Sequence, residues 1–141
     1  MDMLNRGYAV ISMDYRLMPE VRFPENLYDV KTSVRWARVH AAEYDLDPDR
    51  FAMVGDSAGG HLTLMMAFTA DRPEYAGYQY GWEDFSDAIQ AACAMFGPSV
   101  MDSRAASFYK ESGVKRATFG EGQFTIEDIM DKLQQIKILV T

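Results

Sequence analysis

The 141 residues include a single cysteine, Cys93, and only two histidines, His40 and His61. One cysteine excludes the disulfide framework on which small secreted folds depend. Cys93 lies in an apolar run and reads as a reduced core residue rather than a reactive thiol. Long apolar runs are missing as well: none approaches the ~20 residues of a membrane-spanning helix. The start, Met1-Asp2-Met3-Leu4-Asn5-Arg6, has no apolar segment behind a basic one and does not read as a secretion signal. These absences predict a cytoplasmic chain with no membrane span. Basic residues are outnumbered, 14 Lys and Arg against 21 Asp and Glu, which gives a net charge of −7. That balance argues against nucleic acid or an anionic membrane as the main partner. No repeat, low-complexity tract or Ser/Pro-rich linker divides the chain. It reads as one domain, and a hydrophobic content of 48% is enough for a core.

What is present is concentrated in Phe51-Ala52-Met53-Val54-Gly55-Asp56-Ser57-Ala58-Gly59-Gly60-His61-Leu62. An apolar run enters Gly-x-Ser-x-Gly, and a helix-forming run to Ala70 leaves it. This predicts a strand, a sharp turn and a helix, with Ser57 at the turn as a candidate nucleophile. Gly55 and Gly59 flank the serine where helix and strand pass closest, and a Cβ there would collide. Asp56 and Gly60 complete the turn. A helix beginning after Ser57 turns unpaired N–H groups and its positive dipole end toward the reaction site. The Ala58 N–H is therefore the first candidate donor to an oxyanion. A trypsin-like Gly-Asp-Ser-Gly-Gly-Pro string is excluded, since Ala58 stands fourth, no proline follows, and the next residues read as helix.

In chain order, Met1 to Arg6 reads as the end of a helix closed by Gly7. Tyr8 to Asp14 reads as a strand buried on both faces of a parallel sheet. A loop to Pro24 follows. A helix then runs from Pro24 or Glu25 to about Tyr44, with Leu27, Val30, Val34, Ala37, Ala41 and Tyr44 on its inner face and Lys31, Arg35 and Arg38 off that stripe. Pro48 forbids its continuation. After the Ser57 helix, residues 71–87 read as a surface excursion. Its Tyr75, Tyr78, Tyr80, Trp82 and Phe85 either form an aromatic substrate lip or, as the preferred reading, cover the sheet edge. Ala88 to Phe96 reads as a third buried strand. Short helices are expected over Asp102 to Ser112 and from Thr125, the latter with Ile126, Ile129, Met130 and Leu133 inward, and Ile136 to Val140 reads as a last strand. The alternation predicts an α/β fold with a mainly parallel sheet flanked by helices, its chemistry at the carboxyl ends of strands.

Asp14-Tyr15-Arg16-Leu17-Met18-Pro19-Glu20, Phe23-Pro24, Asp29, Trp36, Asp47 with Arg50, and Gly55-Asp56-Ser57-Ala58-Gly59-Gly60, in that order, resemble α/β-hydrolase esterases of the hormone-sensitive-lipase-like group. The family's first string is Asp-Tyr-Arg-Leu-Ala-Pro-Glu; Met18 replaces its alanine. Gly97-Pro98 resembles the family's turn after the next strand. The resemblance implies hydrolysis of small-molecule carboxylic esters through an acyl-enzyme on Ser57, with a histidine taking its proton and an acid orienting the histidine. It implies no metal and no organic cofactor. It also implies a structural role for the Arg16 loop, with Glu20 or Asp29 as the acid for the guanidinium.

The departures from the family are specific. Its further oxyanion donors come from a His-Gly-Gly segment before the Tyr8 strand, and this sequence has none. The family triad runs serine, acid, histidine. Here His40 precedes the serine and reads as a helix-surface residue. His61, one turn past Ser57, reads as a packing residue of the same helix. Asp102 and Asp128 are weak substitutes for the acid, each better read as a helix-start residue. The resemblance thus implies an incomplete α/β-hydrolase domain over 1–141 that lacks the acid, the histidine and part of the oxyanion hole and turns over little by itself. A non-catalytic scaffold or binding subunit that keeps the fold stays open as the alternative. A complete enzyme with unusual residues is a third reading; as a peptidase it would need a second domain, for which the length leaves no room. The family fold also places another strand between those of Tyr8 and Phe51. Direct parallel pairing of the two is expected, with self-association through open strand edges as an alternative.

Overall fold

The computed structural model describes residues 2–17, 19–97 and 99, together with the strand 136–140. A short helix α1 (Asp2–Asn5) turns at Gly7 into strand β1 (Ala9–Met13). Helix α2 (Glu25–Val39), strand β2 (Phe51–Asp56) and helix α3 (Ala58–Thr69) follow. A 3-10 turn (Pro73–Tyr75) precedes β3 (Ala91–Met95), and β4 (Ile136–Val140) is the last described element. The strands lie in the order β1-β4-β2-β3.

β1 and β2 do not pair directly, which corrects the expectation from sequence. β4 lies between them, antiparallel to both, so that Ile138 is in register with Ile11 on one side and Met53 on the other. The physical reason is the cost of leaving the two facing strand edges open: each unpaired buried backbone group costs roughly 1–3 kcal/mol. One strand of the same chain satisfies both rows, so this gap gives no cause for self-association. Because β1 and β2 each oppose β4, they point the same way, and β3 runs parallel to β2. Three of the four described strands therefore share a direction, with β4 the antiparallel exception, and the α/β architecture of helices with parallel strands stands.

The core lies on one face of the sheet. From β1 and β2 it takes Met13, Phe51 and Met53; from α2 it takes Leu27, Val30, Val34 and Ala37; from α3 it takes Ala58, Leu62 and Met66. The inward residues of β2 alternate with half-buried Ala52 and Val54, the period of two that a strand imposes. β1 was expected to be buried on both faces, but only one is covered: Val10 and Ser12 are exposed. The same holds more strongly for β3, where four of five residues are exposed, Cys93 among them. Cys93 is thus not a core residue. β3 is the last strand of the described sheet, paired with β2 alone, and α3 packs on one face of it.

Helix α2 ends at Val39 rather than near Tyr44. Beyond it the regular ladder gives way to mixed turns, Ala41 N–H to Arg38 O at 3.3 Å and Glu43 N–H to His40 O at 3.0 Å beside Tyr44 N–H to His40 O at 3.3 Å, and Tyr44 is exposed. The aromatic excursion covers α2, not a sheet edge. Tyr78 meets Tyr28 edge-on at 5.8 Å and Trp82 meets His40 at 6.3 Å, with Tyr80 between Tyr78 and Trp82. The helices expected over Asp102–Ser112 and from Thr125, with Asp128, lie outside the described residues. No described helix is long and apolar enough to cross a membrane.

Candidate active site

Ser57 is the residue between β2 and α3, and its backbone is strained, with φ 51° and ψ −114°. For a non-glycine residue that conformation is uncommon. Serine at a helix N-cap usually accepts a bond from the first turn. Ser57 occupies that position and makes no side-chain capping bond. The backbone is held instead: the Ser57 N–H donates to Met95 O, at the end of β3, at 3.0 Å, and the first helical bond, His61 N–H to Ser57 O, closes at 3.1 Å. The N–H groups of Ala58, Gly59 and Gly60 precede that bond, so helix geometry leaves them without intrahelical acceptors. All three residues are buried, while Ser57 is half-buried and Asp56 exposed.

Two glycine contacts set this geometry. A Cβ on Gly55 would stand 2.3 Å from Gly59 O, so strand and helix touch through bare backbone. A Cβ on Gly97 would stand 2.5 Å from the carbonyl carbon of Gly60 and from His61 N, which brings the loop after β3 against the first turn of α3. Gly55 and Gly59 were assigned this role from sequence. The contact between Gly60 and Gly97 was not, because nothing local relates residues 37 positions apart.

The two histidines lie where packing explains them. His40 stacks on Trp36 at 4.5 Å, with Nδ1 2.8 Å from Trp36 O. His61 is buried in α3, its ring edge-on to Phe23 at 6.3 Å. The Arg16 loop is fastened by Asp29, not Glu20. Asp29 accepts from Arg16 Nη2 at 2.7 Å, from Nε at 3.0 Å and from the backbone N–H at 3.0 Å. The Asp29 carboxylate, and then Tyr78, hold the guanidinium still more firmly protonated than usual. Arg16 is partly exposed rather than buried. It borders a cleft of about 580 Å³ lined also by Asp14, Tyr15, Leu17, Glu20 and Tyr80. Among the described residues no group of three His, Cys, Asp or Glu is placed to hold a metal.

One cluster was missed from sequence. Lys31 and Arg35, read as lying off the buried stripe, are themselves buried and converge on buried Asp87. Lys31 Nζ is 3.2 Å from Asp87 Oδ2 and donates to Thr69 O at 2.7 Å. Arg35 donates to Asp87 and to Ala76 O, and Arg38 to the carbonyls of Ser86 and Ala88. Burial lowers the pKa of Lys31, against the opposing pull of Asp87. A signal was available: 31, 35 and 38 follow the i, i+4, i+7 spacing of a single helix face.

A strand, a strained serine and a helix packed glycine to glycine define an α/β fold of the nucleophile-elbow class. Comparison with known proteins narrows this. The BD-FAE family model matches residues 1–137, and the chain belongs to that family. LipM of Mycobacterium tuberculosis is 36% identical over 91 residues, 64% of this chain and 20% of LipM. Esterase LipC of the same organism is 29% identical over 143 residues, 86% of this chain and 36% of LipC. Carboxylesterase NlhH, also from that organism, is 47% identical over 58 residues, 41% of this chain and 18% of NlhH. The chain spans between about a fifth and about a third of the length of these relatives.

Proposed function

We propose that Ser57 is the nucleophile in the hydrolysis of small-molecule carboxylic esters. The observation that carries this reading is a serine at a helix N-cap that does not cap, held at positive φ by a backbone bond to the next strand. A structural serine at that position would bond the helix. A strained one that makes no capping bond to the helix fits attack on a carbonyl. In this reading the Ser57 oxygen bonds to the ester carbonyl carbon and the carbonyl oxygen becomes an anion. The Ala58 N–H, with the dipole of α3 behind it, donates to that anion. Collapse breaks the bond to the alcohol and leaves an acyl group on Ser57, which water removes.

The proton of Ser57 needs a base. His40 is stacked on Trp36 and His61 is packed against Phe23, so in this reading neither serves as that base, and no acid among the described residues is assigned to the triad. The names of the relatives, esterase and carboxylesterase, support the substrate class. The test is labelling of the chain by a fluorophosphonate, with the adduct mapped by mass, beside turnover of p-nitrophenyl acetate. A single adduct on Ser57, absent in Ser57→Ala, is expected, with turnover orders of magnitude below that of a complete triad. A chain that takes no label would favour the non-catalytic scaffold, and rapid Ser57-dependent turnover would put a base where we place none.

A further inference from the structure

We infer that Phe96 is a substrate-contacting residue, its ring forming an apolar wall for the acyl group carried on Ser57. The inference rests on the reading of Ser57 as nucleophile and adds a determinant of which esters it accepts.

β2 and β3 run parallel with Asp56 opposite Met95. Ser57 and Phe96 are the next residues along the two strands, and both stand at positive φ, Ser57 at 51° and Phe96 at 41°. The two backbones are joined there by the bond from Ser57 N–H to Met95 O, at 3.0 Å. One residue further, Gly97 is pressed against Gly60 and His61. Phe96 thus lies between two anchored neighbours, Met95 bonded to the Ser57 N–H and Gly97 pressed on the first turn of α3, which keeps its backbone beside the serine.

Neither stability nor local preference accounts for a phenylalanine here. A bulky residue in the left-handed region is an outlier, and such strain is destabilising. A residue in that conformation that earned its place in the core would be buried, whereas Phe96 is 81% exposed, more than any other large hydrophobic described. Glycine or asparagine would meet the backbone requirement without strain. An exposed phenylalanine one residue past the strand end that bonds the Ser57 backbone fits a surface that becomes covered when an apolar acyl group is bound.

The test compares p-nitrophenyl acetate with p-nitrophenyl octanoate on the 141-residue chain, reading the acyl adduct on Ser57 by mass. In each reaction the Ser57 oxygen bonds to the acyl carbon, p-nitrophenolate leaves, and the serine proton passes to buffer base. The variant is Phe96→Asn, which suits the left-handed backbone and removes the ring. Octanoylation of Ser57 should fall by about tenfold, the order expected for losing a partly buried apolar contact, while acetylation stays within about twofold. The thermal midpoint should hold or rise; Phe96→Trp should keep the preference for octanoate. Octanoylation and acetylation falling equally, or not at all, would overturn the inference and leave Ser57 as nucleophile. A lower thermal midpoint in Phe96→Asn would assign the ring a structural role and also overturn it. A wild-type chain acylated by neither ester at Ser57 would overturn the reading of Ser57 itself, and this inference with it.

Discussion

At its carboxyl end β2 runs into Ser57, where backbone meets backbone through Gly55, Gly59, Gly60 and Gly97 and two residues stand at positive φ. At its amino end Phe51 lies beneath the Arg38 guanidinium, 4.6 Å from ring centre to Cζ, and exchanges bonds with Gln90. Beside that end Lys31 and Arg35 are buried on Asp87. One end fastens α2 to β2 and to the segment before β3, the other fastens α3 to β2 and to the loop after β3, and the means differ. Side chains with charge fasten one, and the absence of side chains fastens the other. The charged end can be adjusted by exchanging partners and contributes to stability. The glycine end has no side chain to exchange, and it holds strained residues in place for a hydroxyl and a helix terminus. If this division is correct, substitutions at the charged end should change how much of the chain is folded, and substitutions at the glycine end should change what the folded chain does.

The largest effect is expected at the charged end. Asp87→Ala removes the acceptor for Lys31, for Arg35 and for the Asp71 N–H at 2.9 Å. It leaves two cations buried without their carboxylate, a loss of about 3–5 kcal/mol in comparable pairs. Against the ~5–15 kcal/mol of a whole domain, urea denaturation should show the midpoint falling steeply. Fluorophosphonate labelling per folded molecule should be unchanged. Loss of labelling in molecules that remain folded would show that the two ends are coupled, and the comparison would fail.

Gly55→Ala is the counterpart at the other end. Its Cβ would meet Gly59 O at 2.3 Å and Thr63 Oγ1 at 2.8 Å, and backbone cannot give way as a side-chain tip can. Overpacking of this kind costs about 1–3 kcal/mol. Relief requires α3 to move away from β2, taking the Ala58 N–H with it. Labelling of Ser57 should therefore fall further than the lost stability explains. Labelling that tracks the folded fraction alone would mean the contact is only structural.

The two ends differ as much in how far the sequence discloses them. The elbow is written in adjacent residues: an apolar run, glycines at fixed offsets, then helix formers, and the observed bounds of β2 and α3 fall within a residue of those expected. The inner stripe of α2 was equally legible from Leu27 to Ala37, because helical period and burial coincide there. The charged end depends on residues about 50 positions apart, Arg35 with Phe85 and Asp87, and no local pattern pairs them. The direction of β4 was hidden for another reason. An apolar run such as Ile136 to Val140 has the same period of two whether it runs with its neighbours or against them, so the antiparallel insertion between β1 and β2 could not be read from it. The exposure of Cys93 and most of β3 follows from the position of that strand in the sheet, which its composition does not encode.

The smallest effect expected is a pH dependence confined to the charged end. Burial pushes the Lys31 pKa below its usual value of 10.5, with Arg35 adding to the shift and Asp87 and Asp71 opposing it. For a cation with a lowered folded pKa, the unfolded chain binds more protons over the window between the folded value and 10.5. Stability should therefore rise with pH across that window. At lower pH both states are protonated and the folded state bears the whole cost of the buried ammonium. As pH climbs toward 10.5 the folded chain releases the proton first and that cost is relieved. Other groups titrate in the same range, so the measurement is a difference: urea unfolding of the wild type and of Lys31→Met, which keeps a long apolar stem without the charge, at a series of alkaline pH values. The wild type should gain on the variant as the pH rises. If it loses ground, the ion pair with Asp87 outweighs burial at Lys31, and the charged end fastens β2 by attraction strong enough to hold the proton rather than by tolerating a costly one.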